Sequence, residues 1–294
     1  MTRMPIPLLV LLSGIPAPAL PPPPRPLVVG HRGARARFPE NTLPALRHAL
    51  AAGADGVEID VRVTADDVLV LAHDATLPTD LCRDADGRRV RKGLAIRGLS
   101  FEALRRFDCG AVPDTGFPDQ QAVPGTPMPS LAQVLDLLAA HEPSGARRVT
   151  LFLELKYEED TPAFSPPRNH FARLVVDLLR NHGFEDPTIV LSFDHPLLRA
   201  VRSLAPALRS MPLVDQNVDL AALARREEAS WVGPRHGHLT AASVEALHAA
   251  GVKAFAWTAN APRDQDRLAA LGVDALGTDD PQALVERWKK REPR

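Results

Sequence analysis

The chain has 294 residues, 45% of them hydrophobic and 24% charged, and its 35 basic and 36 acidic side chains leave a formal net charge of −1. That balance excludes a global attraction to nucleic acid or to an anionic membrane, so any anion must be held locally. The apolar fraction excludes a disordered chain, and a length near 300 suits one large α/β domain.

In chain order, residues 1–26 read as a secretory signal or a disordered leader, separate from a folded domain over 27–294. Arg3 gives a positive start, Leu8-Leu9-Val10-Leu11-Leu12 a short apolar core, and Ala17-Pro18-Ala19 small residues for cleavage, before a proline run. A periplasmic or secreted location follows from the signal reading, and a cytoplasmic one from the alternative. No later stretch is apolar for long enough to span a membrane.

From Leu27 onward, short apolar runs alternate with amphipathic stretches. The runs are Leu27–Gly30, Val57–Val61, Val149–Glu154, Ile189–Phe193, Leu208–Leu213, Trp231–Gly233, Ala254–Trp257 and Ala275–Gly277. The first helix carries Leu43, Leu46 and Leu50, is capped by Asn41-Thr42 and stops at Gly53. Further helices carry Leu131/Val134/Leu135/Leu138 and Phe171/Leu174/Val175/Leu178, and others cover Leu197–Leu204, Leu220–Glu228, Ala241–Ala250 and Asp264–Leu271. Eight strands separated mostly by helices predict a TIM (β/α)8 barrel. One spacing breaks the alternation. Only six residues separate Val61 from Val68, too few for a parallel crossover, so Val57–Val63 and Val68–His73 are expected to form a β-hairpin. A turn near Ala65-Asp66 places His73 opposite Glu58. Residues 75–128 then read as a polar insertion punctuated by Pro and Gly, a lid or a substrate-shaping cap.

Ionisable residues end several of the apolar runs. Side chains two apart on a strand share a face, so Glu58 joins Asp60, and Glu154 joins Lys156. Buried carboxylates need a partner. Three of them at the carboxyl ends of barrel strands suit a hard cation, Ca²⁺ or Mg²⁺, against the alternative of structural ion pairs with Arg62 or Lys156. His31 and His73 end neighbouring runs and can take a proton from one oxygen and deliver one to another. Arg32 and Lys156 supply local positive charge for a phosphate, or else only balance the carboxylates. Gly30 and Gly33 let backbone approach a ligand. Phe193 and Trp257 either wall a substrate or are plain core. Glu40, Asn41 and Thr42 organise the first loop, while His236 and His238 have no assigned role. No serine or cysteine sits in a nucleophile elbow, so the chemistry is expected to be metal-assisted. Cys82 and Cys109 lack metal-finger spacing, and two readings stand: a single disulfide in an oxidising compartment, or two buried thiols.

Taken together, His31-Arg32-Gly33-Ala34, Pro39-Glu40-Asn41-Thr42, the run from Gly53 to Val61 and His73-Asp74 resemble the glycerophosphodiester phosphodiesterase family in order and spacing. So do Pro129-Ser130-Leu131, Leu153-Glu154-Leu155-Lys156, Ser192-Phe193, Trp257-Thr258-Ala259-Asn260, Gly272-Val273-Asp274 and Thr278-Asp279-Asp280-Pro281. The resemblance runs from about residue 28 to 285, with Ser130 where Thr is usual and Ala259 where Val is usual. It implies a TIM barrel with a family-specific insertion and a divalent cation on Glu58, Asp60 and Glu154. It also implies His31 and His73 as general base and acid, with Arg32 and Lys156 on the phosphate. The implied reaction is hydrolysis of a glycerophosphodiester, such as glycerophosphocholine or glycerophosphoethanolamine, to sn-glycerol 3-phosphate and an alcohol. Residue types leave open whether water or the glycerol 2-hydroxyl attacks first. Cys82 and Cys109 are unusual for that family, which favours a local disulfide in an exported protein. Two other readings share the barrel: a lysophospholipase-D-like enzyme acting on lysolipids, and a non-catalytic module.

Overall fold

The structure is a computed structural model and describes residues 25–141, 148–159 and 161–291. The expected leader thus lies outside the described residues, apart from Arg25 and Pro26. The strands are β1 (Leu27–Gly30), β2 (Gly56–Val63), β3 (Leu69–Leu71), β4 (Thr150–Leu155), β5 (Thr188–Ser192), β6 (Arg209–Val214), β7 (Trp231–Pro234), β8 (Lys253–Ala256) and β9 (Ala275–Thr278). All but β3 run parallel, and β1 pairs with both β9 and β2, so the eight-stranded barrel is closed. The α-helices are α1 (Leu43–Ala52), α2 (Phe101–Leu104), α3 (Leu131–His141), α4 (Arg168–Asn181), α5 (His195–Leu204), α6 (Leu220–Glu227), α7 (Ala241–Ala249), α8 (Pro262–Ala270) and α9 (Pro281–Lys289), with short 3₁₀ turns at Ile96–Gly98 and His236–His238.

The period of two along the strands divides the interior into two layers. On β2 and β4, Val57, Ile59, Val61, Leu151, Leu153 and Leu155 pack outward against the helices. The opposite face fills the barrel, where Phe152 stacks on Phe255 at 5.1 Å and meets Trp231 edge-on at 5.9 Å. Gly56 is part of this packing, because a Cβ there would come within 3.0 Å of the Phe152 ring. Glu58 and Asp60 occupy the next two inward positions of β2, above that aromatic plug.

The expected elements form, with two corrections. The hairpin pairs Val61 with Leu71, Arg62 with Val70 and Val63 with Leu69, so it lies one residue away from the register that would set His73 opposite Glu58. The added residue sits in the turn, where Asp67 takes φ 61 and its N–H bonds the Thr64 carbonyl. Helix α9 is the second correction, since no helix was expected beyond residue 271. Its signals are in the sequence: the Asp280 carboxylate caps it at the Ala283 N–H, Pro281 opens it, and Leu284, Val285 and Trp288 form its buried stripe.

The insertion is more than a polar loop. Leu77, Cys82, Ile96, Leu104 and Met128 form a small core of their own against Val70 and Ala72 of the hairpin. A disulfide joins Cys82 to Cys109, 27 residues apart, and settles the choice between disulfide and free thiols. A cross-link of this kind supports so small a core by constraining the unfolded chain. Replacing both cysteines by alanine is expected to lower unfolding stability by about 2–4 kcal/mol, measured by denaturant titration. Hydrogen exchange in the variant should accelerate over residues 75–128 and not in the barrel strands; acceleration throughout the barrel would contradict an autonomous insertion core.

Candidate active site

Parallel pairing sets Asp60 beside Glu154 and Glu58 beside Phe152. Glu58, Asp60 and Glu154 are all buried, and each offers an oxygen within 4.8 Å of the others. Burial, then Asp60 and Glu154, push the Glu58 carboxyl well above the ordinary range. Burial and Asp60 likewise raise Glu154, against the pull of Lys156. Burial would raise Asp60 too, but Arg32, Lys156 and His73 outweigh it and bring that carboxyl down to about 2. The negative charge therefore concentrates on Asp60, and its neighbours hold protons more tightly.

Oxygen Oε1 of Glu58 is buried and has no hydrogen-bond partner among the described residues. An orphaned carboxylate oxygen beside two more carboxylates is the donor set of a hard divalent cation. The residues present fit such an ion.

The first loop shapes this cluster from one side. Arg32 and Asn41 adopt left-handed backbone, with φ of 50 and 55. That turn aims the Arg32 N–H at Glu58 Oε2, 2.8 Å away, and lets the Asn41 N–H bond the Arg32 carbonyl. The Asn41 amide grips Asp60 twice, donating to Oδ2 at 2.8 Å and accepting from the backbone N–H at 3.1 Å. Gly30 and Gly33 serve this turn: a Cβ on Gly30 would collide with the Gly33 carbonyl, and Gly33, at φ 87, lies against Ala45.

The two cations expected at a phosphate are both at the site. The Arg32 guanidinium donates to both Glu40 oxygens at 2.9 Å and stands 3.3 Å from Asp60. Lys156 Nζ donates to Glu154 at 2.8 Å and lies 3.8 Å from Asp60.

Each histidine carries a carboxylate behind it. His31 Nδ1 is 2.6 Å from Asp279 Oδ1, which fixes the proton on Nδ1 and turns Nε2 toward Glu58, 3.9 Å away. Asn260 holds Asp279 in turn, donating to Oδ2 at 2.6 Å and accepting from its N–H at 2.9 Å. His73 reaches the site from the loop after β3, with Nδ1 2.8 Å from Asp74. Its backbone is pinned from inside the barrel, where buried Arg62 donates to the His73 carbonyl from Nε at 3.0 Å and Nη2 at 2.8 Å. Arg62 also reaches Glu158 at 2.9 Å, so one guanidinium ties the His73 loop to the segment after β4.

Phe193 and Trp257 follow β5 and β8 and meet edge to face at 5.5 Å. Phe193 is 47% exposed, so it is no core residue. Both line a cavity of about 80 Å³ with His31, Arg32, Glu58 and Lys156. His236 and His238 lie in a short 3₁₀ turn after β7, outside that cavity. Sequence reasoning missed Asp279 and Asn260 as orienting groups, and Asn41 and Arg62 as anchors. The signals for Asn260 and Asp279 were their places in the motifs Trp257-Thr258-Ala259-Asn260 and Thr278-Asp279-Asp280-Pro281 and, for Asp279, its position at the end of an apolar run, as with His31.

Comparison with known proteins gives one answer. The family model of glycerophosphoryl diester phosphodiesterases matches residues 31–283. A glycerophosphodiester phosphodiesterase of Caldanaerobacter subterraneus is 30% identical over 265 residues, covering 90% of this chain and 98% of the relative. The crystal structure of a putative glycerophosphoryl diester phosphodiesterase from Silicibacter pomeroyi superimposes with a TM-score of 0.82 at 30% identity, covering 90% of this chain and 93% of that one. A phosphodiesterase of Oleispira antarctica, solved with its product sn-glycerol-3-phosphate, gives a TM-score of 0.74 at 24% identity, with 90% and 97% coverage.

The raised Glu58 and Glu154 carboxyls set a pH signature for cation binding. Both keep protons to higher pH than ordinary carboxylates, and a cation must displace them. Titrating Ca²⁺ or Mg²⁺ into the protein should release protons, and affinity should fall as pH is lowered. Calorimetry in buffers of different ionisation enthalpy reads the release; binding without it would contradict the protonation described.

Proposed function

Because the chain belongs to the glycerophosphoryl diester phosphodiesterase family, we propose that its acidic cluster and two histidines hydrolyse glycerophosphodiesters to sn-glycerol 3-phosphate and an alcohol. The chain is a phosphoric diester hydrolase. The observation that carries the finer reading is the pair of carboxylate-backed histidines beside three clustered carboxylates. The product seen in the Oleispira antarctica enzyme supports the choice of glycerol 3-phosphate. A non-catalytic module would be expected to lack one of these groups, and all are present.

Glu58, Asp60 and Glu154 would hold a divalent cation, Ca²⁺ or Mg²⁺. Such an ion supplies charge neutralisation to the phosphodiester and to the charge that builds on it. Arg32 and Lys156 add fixed positive charge on the same side. His31, with Nδ1 bonded to Asp279, presents Nε2 as a base and takes the proton of the attacking oxygen. His73, oriented by Asp74, gives a proton to the departing alcohol as the phosphorus–oxygen bond breaks. Each carboxylate stabilises its imidazole when charged, so the proton resides on nitrogen through the step. Phe193 and Trp257 would wall the glycerol side and exclude water from it.

Purified protein given glycerophosphocholine should release glycerol 3-phosphate, followed by a coupled dehydrogenase assay. Chelation should silence it, and Ca²⁺ or Mg²⁺ should restore it. His31→Ala should cost about 10²–10⁴-fold in kcat with cation affinity nearly intact, whereas Glu58→Ala should weaken affinity and turnover together. Full activity in the metal-free protein would overturn this reading.

Export forms the second part of the proposal. The Cys82–Cys109 disulfide and the composition of residues 1–26 support it, since disulfides persist in oxidising compartments. Mass spectrometry of the native protein should find a mature N-terminus near residue 20 and the two cysteines oxidised. An intact Met1 with free thiols would place the enzyme in the cytoplasm.

A further inference from the structure

Arg35 belongs to the first loop, yet its side chain faces the insertion. Within the insertion, residues 110–123 form a loop closed at its base. The Val123 N–H bonds the Gly110 carbonyl at 2.8 Å, and the Asp108 carboxylate accepts from the N–H groups of Gly110, Ala111, Gly125 and Thr126. Cys109, beside that base, is tied to Cys82 by the disulfide. We infer that this loop positions the Arg32 guanidinium, and that Arg35 is the positioning residue that carries the effect from the insertion to the site. The inference rests on the phosphodiesterase reading above and deepens it.

The loop holds Arg35 by backbone and side chain together. Buried Gln120 donates from Nε2 to the Arg35 carbonyl at 2.7 Å, while its Oε1 accepts from the Asp114 N–H at 2.7 Å. One amide thus fixes both the arginine and the carboxylate that pairs with it. Asp114 Oδ2 lies 3.3 Å from Arg35 Nη2, and the Phe117 ring lies against the guanidinium at 4.8 Å. Held in this way, Arg35 sets its Nε 2.7 Å from Glu40 Oε2. Glu40 is also the carboxylate that Arg32 Nη1 meets with both oxygens at 2.9 Å. It therefore stands between two guanidinium groups, one facing Asp60 and one facing the insertion.

Sharing changes what Glu40 does to Arg32. Facing Arg32 alone, the carboxylate would swing with it and cancel its charge. Held from behind by Arg35, it stays in place, and part of its charge is offset by the second guanidinium. Arg32 then keeps one direction and more of its field for a phosphate. Lysine at position 35 would not serve, because an ammonium lacks the fork that meets Glu40 and Asp114 at once.

The test is a cycle of native protein, Arg35→Met, Arg32→Ala and the double variant, assayed on one glycerophosphodiester with saturating Mg²⁺. Arg35→Met should lower kcat/KM by about 10-fold, a coupling of the size that neighbours in one charge network show. It should weaken inhibition by glycerol 3-phosphate by a similar factor and leave cation affinity unchanged. Because the effect runs through Arg32, the double variant should be no slower than Arg32→Ala. Arg35→Lys should stay closer to Arg35→Met than to the native protein. Asp114→Asn, on the insertion side, should move the same two constants in the same direction by less, and it decides the matter if a circular-dichroism melt shows Arg35→Met unfolded. Losses that add in the double variant would mean that Arg35 meets substrate itself or acts through stability alone. That result, or unchanged kcat/KM in folded variants, would overturn the assignment. A native protein that hydrolyses no glycerophosphodiester removes the phosphodiesterase reading instead. Calorimetry of glycerol 3-phosphate on native and Arg35→Met protein then reads the placement of Arg32 directly, unequal affinities supporting it and equal ones overturning it.

Discussion

Three carboxylates packed within 4.8 Å of one another inside a closed barrel are the constraint that the rest of the site answers. Buried like charges repel strongly where water is excluded, and a structure keeps them only when other groups compensate. Here the compensation is layered. Asp60 takes the full charge because Arg32, Lys156 and the Asn41 amide converge on it. Glu58 and Glu154 hold protons more tightly instead, and one Glu58 oxygen is left without a partner. A cation at that oxygen would offset the repulsion, and the three carboxylates offer the donors for one.

The barrel makes this arrangement affordable. Its aromatic plug of Phe152, Trp231 and Phe255 fills the interior below, and the outward faces of β2 and β4 bury aliphatic side chains against the helices. That apolar packing carries the stability and leaves the upper inward positions free for charge. Long-range anchors then set the two histidines. Asp279, after the last strand, orients His31, after the first, across 248 residues of sequence. Arg62 fixes the carbonyl of His73 from within the barrel, and the disulfide-closed insertion backs the same segment through Val70 and Ala72. The two histidines therefore reach one cavity from independent supports. In the proposed mechanism, proton removal and proton delivery are thereby positioned separately.

Much of this was legible in the chain. Alternating apolar runs gave the barrel strands to within a residue or two, because side-chain periodicity is a local property. The same periodicity paired Glu58 with Asp60 and Glu154 with Lys156, and short-range spacing required a hairpin after Val61. Register was not legible. A turn absorbs one residue at almost no cost in pattern, and Asp67 in left-handed backbone did so, shifting His73 from its expected place opposite Glu58. Helix α9 went unread although its cap, proline and stripe were present. The insertion looked polar because its core residues are widely spaced and converge only once Cys82 meets Cys109.

Sequence by itself determined the barrel, the inward face that carries the acid cluster and the identity of the ionisable residues. Those depend on side chains within a few positions of one another. Tertiary structure alone decided the partners: Asn41 on Asp60, Glu40 on Arg32, Asp279 and Asn260 behind His31, Arg62 under His73. All but the Glu40–Arg32 pair, which closes within the first loop, join residues on different elements. Hydrogen bonds and Coulomb interactions act over a few ångströms in space whatever the separation in sequence, and only closure of the barrel fixes which groups come that close.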